Sequence, residues 1–193
     1  MKPTNSVVEN NLLDLEFGYI QMTINQTIED RYRVLNFYIG IAATVASVLV
    51  GVISLQPESV NSTAKLGIGM LSGIMWLVGV IFTLMLIRLR QAWYSAVTSL
   101  NQLKSYMIAH SVTGIETAIR WQNDRLPAQN KLWSIHFYAA LLVAIISSIF
   151  LAVIAIIGLS DTMSLGLRTV IALVLSTANV LGQVGLYYWM LRG

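Results

Sequence analysis

The chain has 193 residues, of which 56% are hydrophobic and 11% charged, with a formal net charge of +3. A soluble domain carries roughly a quarter charged residues, so a water-soluble globular fold is excluded; the mean hydropathy of +0.68 points to a membrane protein. The absence of cysteine removes structural disulfides and thiol chemistry without fixing a compartment.

Four apolar blocks, residues 34–55, 66–87, 133–158 and 169–190, each approach the roughly twenty residues that cross a hydrocarbon core, and none contains Asp, Glu, Lys or Arg. They predict an all-α integral membrane protein with four transmembrane helices in two hairpins, joined by helical cytoplasmic extensions in one structural unit. More than thirty polar or amphipathic residues precede the first block, so a cleaved secretory signal is not expected. Ten of the twelve Lys and Arg residues flank the blocks on one side, leaving only Lys65 and Arg168 on the other. By the positive-inside rule both termini and the central segment are cytoplasmic. Anionic lipid headgroups, or an anionic ligand, are the natural counterparts of that charge.

Residues 1–33 read as an amphipathic helix. Ser6-Val7-Val8-Glu9 has capping-box spacing, and Leu13, Phe17, Ile20, Ile24 and Ile28 recur at steps of three and four, forming one apolar stripe. Such a helix lies on the membrane surface, packs on the cytoplasmic part, assembles with copies of itself or occludes a pore. The first span then opens with Phe37 and Tyr38, rings suited to the lipid–water interface.

The connection from 56 to 65 is short and starts Gln56-Pro57, making a tight hairpin. In the second span Gly69 and Gly73 form a small-xxx-small pattern that allows close helix approach. No Gly or Pro follows between Arg88 and His110, so this helix is expected to leave the membrane unbroken. In that extension Leu86, Leu89, Trp93, Ala96, Leu100, Leu103 and Met107 fall at alternating steps of three and four, a heptad-like seam that needs a partner helix. Beyond it, Thr113-Gly114-Ile115-Glu116 offers a capping box for a short helix, and Pro127 suits the first position of a helix feeding the third span. The whole segment 88–132 is therefore predicted to be helical.

Catalytic patterns are lacking: no phosphate-cradling glycine loop, zinc-binding His-Glu helix or nucleophile elbow, and no intramembrane carboxylate pair. An enzyme is not expected, nor a cofactor or a metal site. The fourth span carries the most informative pattern. Thr169, Ala172, Ser176, Asn179, Gln183 and Tyr187 share one face along nearly its full length. These side chains either hydrogen-bond to neighbouring helices or line a water-filled path where several subunits meet. Four helices enclose no wide channel, so the second reading requires a homo-oligomer, with a tetramer as the working stoichiometry.

The segment Arg31-Tyr32-Arg33 with Asn36-Phe37-Tyr38, the tight outer hairpin, and Ile87-Arg88-Leu89-Arg90-Gln91-Ala92-Trp93-Tyr94 running into Leu100-Asn101-Gln102-Leu103-Lys104-Ser105-Tyr106 together resemble the SLATT-type and related four-span membrane effectors of bacterial antiphage defence. The resemblance covers residues 31–106. It implies an oligomeric pore-forming protein of the bacterial inner membrane, paired with a nucleotidyltransferase or other sensor whose nucleotide signal controls the pore and arrests growth. The residues expected to receive a nucleotide or oligonucleotide are Arg88, Arg90, Lys104, Arg120, Arg125 and Lys131. A non-conducting membrane adaptor, binding a partner through its cytoplasmic amphipathic helices, is the alternative.

Overall fold

The computed structural model describes residues 4–55, 62–110, 128–159 and 162–192. Within them lie four α-helices and no strand: α1 (Thr4–Leu55), α2 (Ser62–His110), α3 (Ile135–Gly158) and α4 (Leu165–Met190). All four are long and apolar enough to cross a membrane, as in a multi-pass membrane protein. The expected short helix after Gly114, together with Glu116, Arg120, Asp124, Arg125 and Pro127, lies outside the described residues.

The first two helices contain 52 and 49 residues, about 78 and 74 Å at 1.5 Å per residue. Each is more than twice what a bilayer core requires. α2 runs unbroken through Arg88 and Arg90, as its lack of helix breakers predicts. α1 is equally continuous, merging the amphipathic segment with the first span. It starts at Thr4, so Ser6 falls inside its first turn and is not its N-cap. The N-terminal segment is thus a direct continuation of the first spanning segment.

The other two helices have local start signals. Ser134 caps α3, accepting the Phe137 backbone N–H at 3.2 Å, after a turn region that separates α3 from anything preceding it. The helix feeding the third span thus starts at Ile135. Ser164 caps α4 by accepting from the Leu167 N–H at 3.3 Å. That cap starts the fourth helix earlier than the apolar block does and places Arg168 in its first turn, where Nε donates to the Met163 carbonyl at 3.1 Å.

Helices α2 and α3 form the centre, with α1 against α2 and α4 against α3 and the edge of α2. Phe37 and Tyr38 meet Phe82 at ring-centroid distances of 6.2 and 5.2 Å, fixing an antiparallel α1–α2 register. Continued turn by turn, that register brings Thr27 level with Trp93, Ile24 with Ala96, Ile20 with Leu100, Phe17 with Leu103 and Leu13 with Met107. The stripe of α1 and the seam of α2 are thus each other's partner. Their burial agrees except at the far end: Ile20 is buried and Leu13, Phe17, Ile24, Ala96, Leu100 and Leu103 are half-buried, while Met107 is exposed.

The core mixes small and polar residues with large ones such as Tyr38, Leu86, Ile87 and Phe150, while Leu66, Met70, Ile74, Leu77 and Ile81 stand exposed along one face of α2. Lipid solvates such a face, so helix association depends on close packing and hydrogen bonds. The closest approach occurs at Gly79. A Cβ there would collide with the Ser147 Cβ and sit 2.8 Å from the Tyr38 hydroxyl, so α1, α2 and α3 converge on that one glycine. Gly69 faces open space, and Gly73 would make only an ordinary 3.9 Å contact with Ile154. The close approach expected at Gly69 and Gly73 is made at Gly79.

Gly79→Ala is expected to separate the central helices at a cost of about 1–3 kcal/mol, typical of overpacking. Gly69→Ala, whose methyl meets open space within α2, should cost nothing and gain up to about 1 kcal/mol from helix propensity. Thermal unfolding in detergent distinguishes the two.

Candidate functional site

The polar face of α4 is turned into the bundle. Gln183 is buried between α2 and α3: its Oε1 accepts from the Thr83 hydroxyl at 2.6 Å, and its Nε2 donates to Ser147 Oγ at 2.9 Å. One turn earlier, Asn179 accepts from Trp76 Nε1 at 3.1 Å and donates to Ser148 Oγ at 2.7 Å. The Ser176 hydroxyl donates to the Ser148 carbonyl at 2.9 Å. Both serines of α3 pass their own protons to the Ala144 carbonyl, Ser147 at 3.0 Å and Ser148 at 2.7 Å. Every amide along this seam therefore has a donor and an acceptor from α2 or α3, as low-dielectric surroundings demand.

Of the five polar residues on the face expected to line a path, Ser176, Asn179, Gln183 and Tyr187 belong to this packed seam. Tyr187 is buried, with its ring 5.6 Å from that of Phe137, and its hydroxyl has no hydrogen-bond partner among the described residues. The gap beside Gln183 and Tyr187, bounded by Phe137 and Ala144, holds no volume large enough for a water molecule. Thr169 is exposed and bonds back to the Leu165 carbonyl of its own helix at 2.9 Å. Within one chain the face is closed. Its partners escaped the sequence reading, although Trp76, Thr83 and the Ser147-Ser148 pair were visible as polar interruptions in otherwise apolar spans.

A second cluster occupies the end of the bundle where most basic residues gather. Arg31 and Arg90 are only 5% and 3% exposed. One Arg31 guanidinium nitrogen lies 3.2 Å from His136 Nδ1 and 3.3 Å from Nε2, donating to whichever ring nitrogen carries no proton. Arg90 donates from Nε to the Gln129 carbonyl at 3.2 Å and from Nη2 to the Ala128 carbonyl at 3.4 Å, with its Cζ 4.6 Å from the centre of the Trp93 ring. Trp93 lies 5.9 Å from the His136 ring, closing the cluster. Among the described residues neither arginine is paired with a carboxylate; the ion pair present joins Arg33 to Asp30 at 3.8 Å. Gln91 adds a tie to α4, donating from Nε2 to the Met190 carbonyl at 2.8 Å.

Of the six residues expected to receive an anion, the four that are described are not gathered on one patch. Arg90 is buried and committed to backbone carbonyls. Arg88 is exposed, donating to Gln91 Oε1 at 3.1 Å. Lys104 sits about 24 Å further along α2 at 1.5 Å per residue, and Lys131 is exposed in the turn before α3. Arg120 and Arg125 lie outside the described residues. Arg31 and His136, not singled out in the sequence as ligand residues, are the ones that meet Arg90. No group of three or more His, Cys, Asp or Glu residues suited to a metal occurs among the described residues.

Comparison with family models, with curated proteins and with solved structures finds no match.

Gln183→Leu is expected to destabilise the bundle by about 1 kcal/mol, from two lost hydrogen bonds at roughly 0.6 kcal/mol each. Thr169→Val, on the exposed part of the same stripe, should be silent. Equilibrium unfolding in mixed micelles measures both.

Proposed function

We propose that this chain is a non-conducting membrane adaptor whose projecting α1–α2 hairpin holds a helical partner. One observation carries the reading. Leu12, Leu15, Tyr19 and Met22 are 67–73% exposed and fall at steps of three, four and three on the side of α1 turned away from α2. They form a second apolar stripe, distinct from the one that binds the hairpin together. This part of α1 also bears Asp14, Glu16, Glu29 and Asp30, charges that keep it in water. An exposed apolar stripe at this spacing in water is a helix-docking surface. The side bearing ten of the twelve basic residues is then cytoplasmic, in the inner membrane of a bacterium, with both termini inside. Neither catalysis nor a cofactor is needed.

A second reading keeps the homo-oligomeric pore of an antiphage effector, responding to a nucleotide signal, which the resemblance to SLATT-type proteins implies. It is favoured by another face. Asn36, Gly40, Thr44 and Ser47 are exposed at steps of three or four on the membrane part of α1, with the Thr44 and Ser47 hydroxyls bonding only back to Gly40 and Ala43 carbonyls at 2.9 Å. A path between copies would be lined by these residues, since the equivalent face of α4 is occupied.

Ion flux through liposomes separates the readings. The adaptor passes no more than empty vesicles, with or without added nucleotides, while Leu15→Glu with Tyr19→Glu abolishes cross-linking of α1 to its partner in cells. Flux that disappears in Asn36→Leu with Thr44→Leu would replace the adaptor by a pore lined by α1.

A further inference from the structure

The geometry points to a specific site for one anionic phospholipid in the groove between α1 and α2 at the basic end of the bundle. The groove has a volume of about 560 Å³, within the range of small-molecule sites. Its floor is apolar, formed by Val34 of α1 with Ile81, Leu84, Met85 and Leu89 of α2. Its rim carries Arg33, Arg88 and Asp30, two positive charges against one negative.

The placement of these groups selects the occupant. Ile81 and Met85 belong to the exposed apolar run of the second span, so the groove opens to lipid along its length, and the arginines stand where that apolar run ends. An acyl chain laid along Met85 and Ile81 brings its phosphate level with Arg88 on one side and Arg33 on the other. Arg33 is 80% exposed, and its pairing with Asp30 is long at 3.8 Å, which leaves donors free for a phosphate. Arg88 uses one nitrogen on Gln91, an exposed contact that orients the guanidinium and leaves the rest of its donors available. A free anion gains nothing from the apolar floor, and a zwitterionic headgroup brings its own cation to a rim that is already positive. A second copy of the chain would set one basic rim against another. Basic pockets between membrane helices at the lipid boundary select anionic headgroups for the same reason.

Native mass spectrometry of the delipidated full chain, titrated with phosphatidylglycerol or phosphatidylcholine in detergent, tests the assignment. One phosphatidylglycerol is expected to remain bound per chain, with phosphatidylcholine at least tenfold weaker. Arg33→Ala and Arg88→Ala should each weaken phosphatidylglycerol by roughly fivefold, the worth of one basic residue near an anionic lipid, while Arg192→Ala, at the same end of the molecule, should not. Leu84→Trp, which fills the floor and keeps both charges, should also release the lipid, with thermal unfolding confirming that each variant is folded. Equal retention of the two lipids, or loss equal to that of Arg33→Ala in the Arg192→Ala variant, would overturn the site. So would displacement by glycerophosphate at concentrations equal to the lipid, which would make it a free-phosphate site without acyl recognition.

Discussion

A primary amide placed in hydrocarbon must find its hydrogen bonds in the protein, because the solvent offers none. Gln183 and Asn179 impose that condition on this chain. Their four hydrogen-bonding ends are met by Thr83 and Trp76 of α2 and by Ser147 and Ser148 of α3, which fixes how α4 is rotated and how far it slides. Each bond is worth only a fraction of a kcal/mol in a membrane. The geometric consequence is larger than the energy, since any other rotation of α4 would strand two amides in lipid. Gly79 sets the matching condition on the other side, where the lack of a side chain lets α1, α2 and α3 come together.

With the centre specified by polar contacts and a glycine, many large apolar residues face outward, while Tyr38, Leu86 and Ile87 stay packed inside. The same logic changes at the basic end. There α1 and α2 run on past their uncharged blocks without a break, and their mutual stripe joins segments that also carry charged residues. Arg31 and Arg90 sit where the two regimes meet. Buried against His136, Trp93 and the carbonyls of residues 128 and 129, they tie α1, α2 and the segment that leads into α3 into one junction.

Much of this was legible in the residues. Long uncharged blocks identify spanning helices because the bilayer sets their length, and the unbroken run after Arg88 identifies the projecting α2 because nothing in it stops a helix. The period of the α4 stripe revealed a polar face. It did not reveal what the face meets: periodicity along one helix is the same for a pore lining and for a packing seam, and only the neighbours' positions decide. Gly69, Gly73 and Gly79 are alike as letters, and the crossing point of three helices selects one of them. Reading arginines as exposed charge misplaced Arg90, whose aromatic and carbonyl partners come from segments distant in the chain. The second stripe of α1 was masked because Leu12 and Leu15 flank the residues of the first, and which face lies outward depends on where α2 packs.

The chain contains no cysteine, so single cysteines can be introduced into a silent background and their reaction with a water-soluble, membrane-impermeant thiol reagent followed in native membranes. Gln183→Cys compared with Lys131→Cys, at an exposed position before α3, addresses the central point, that the polar face of α4 is sealed within each chain. The expected result is no labelling at 183 from either side of the membrane, with rapid labelling at 131 from the side bearing the basic residues. Labelling at 183 at a rate close to that at 131 would mean that water reaches the middle of the seam, and that α4 lines an aqueous path after all.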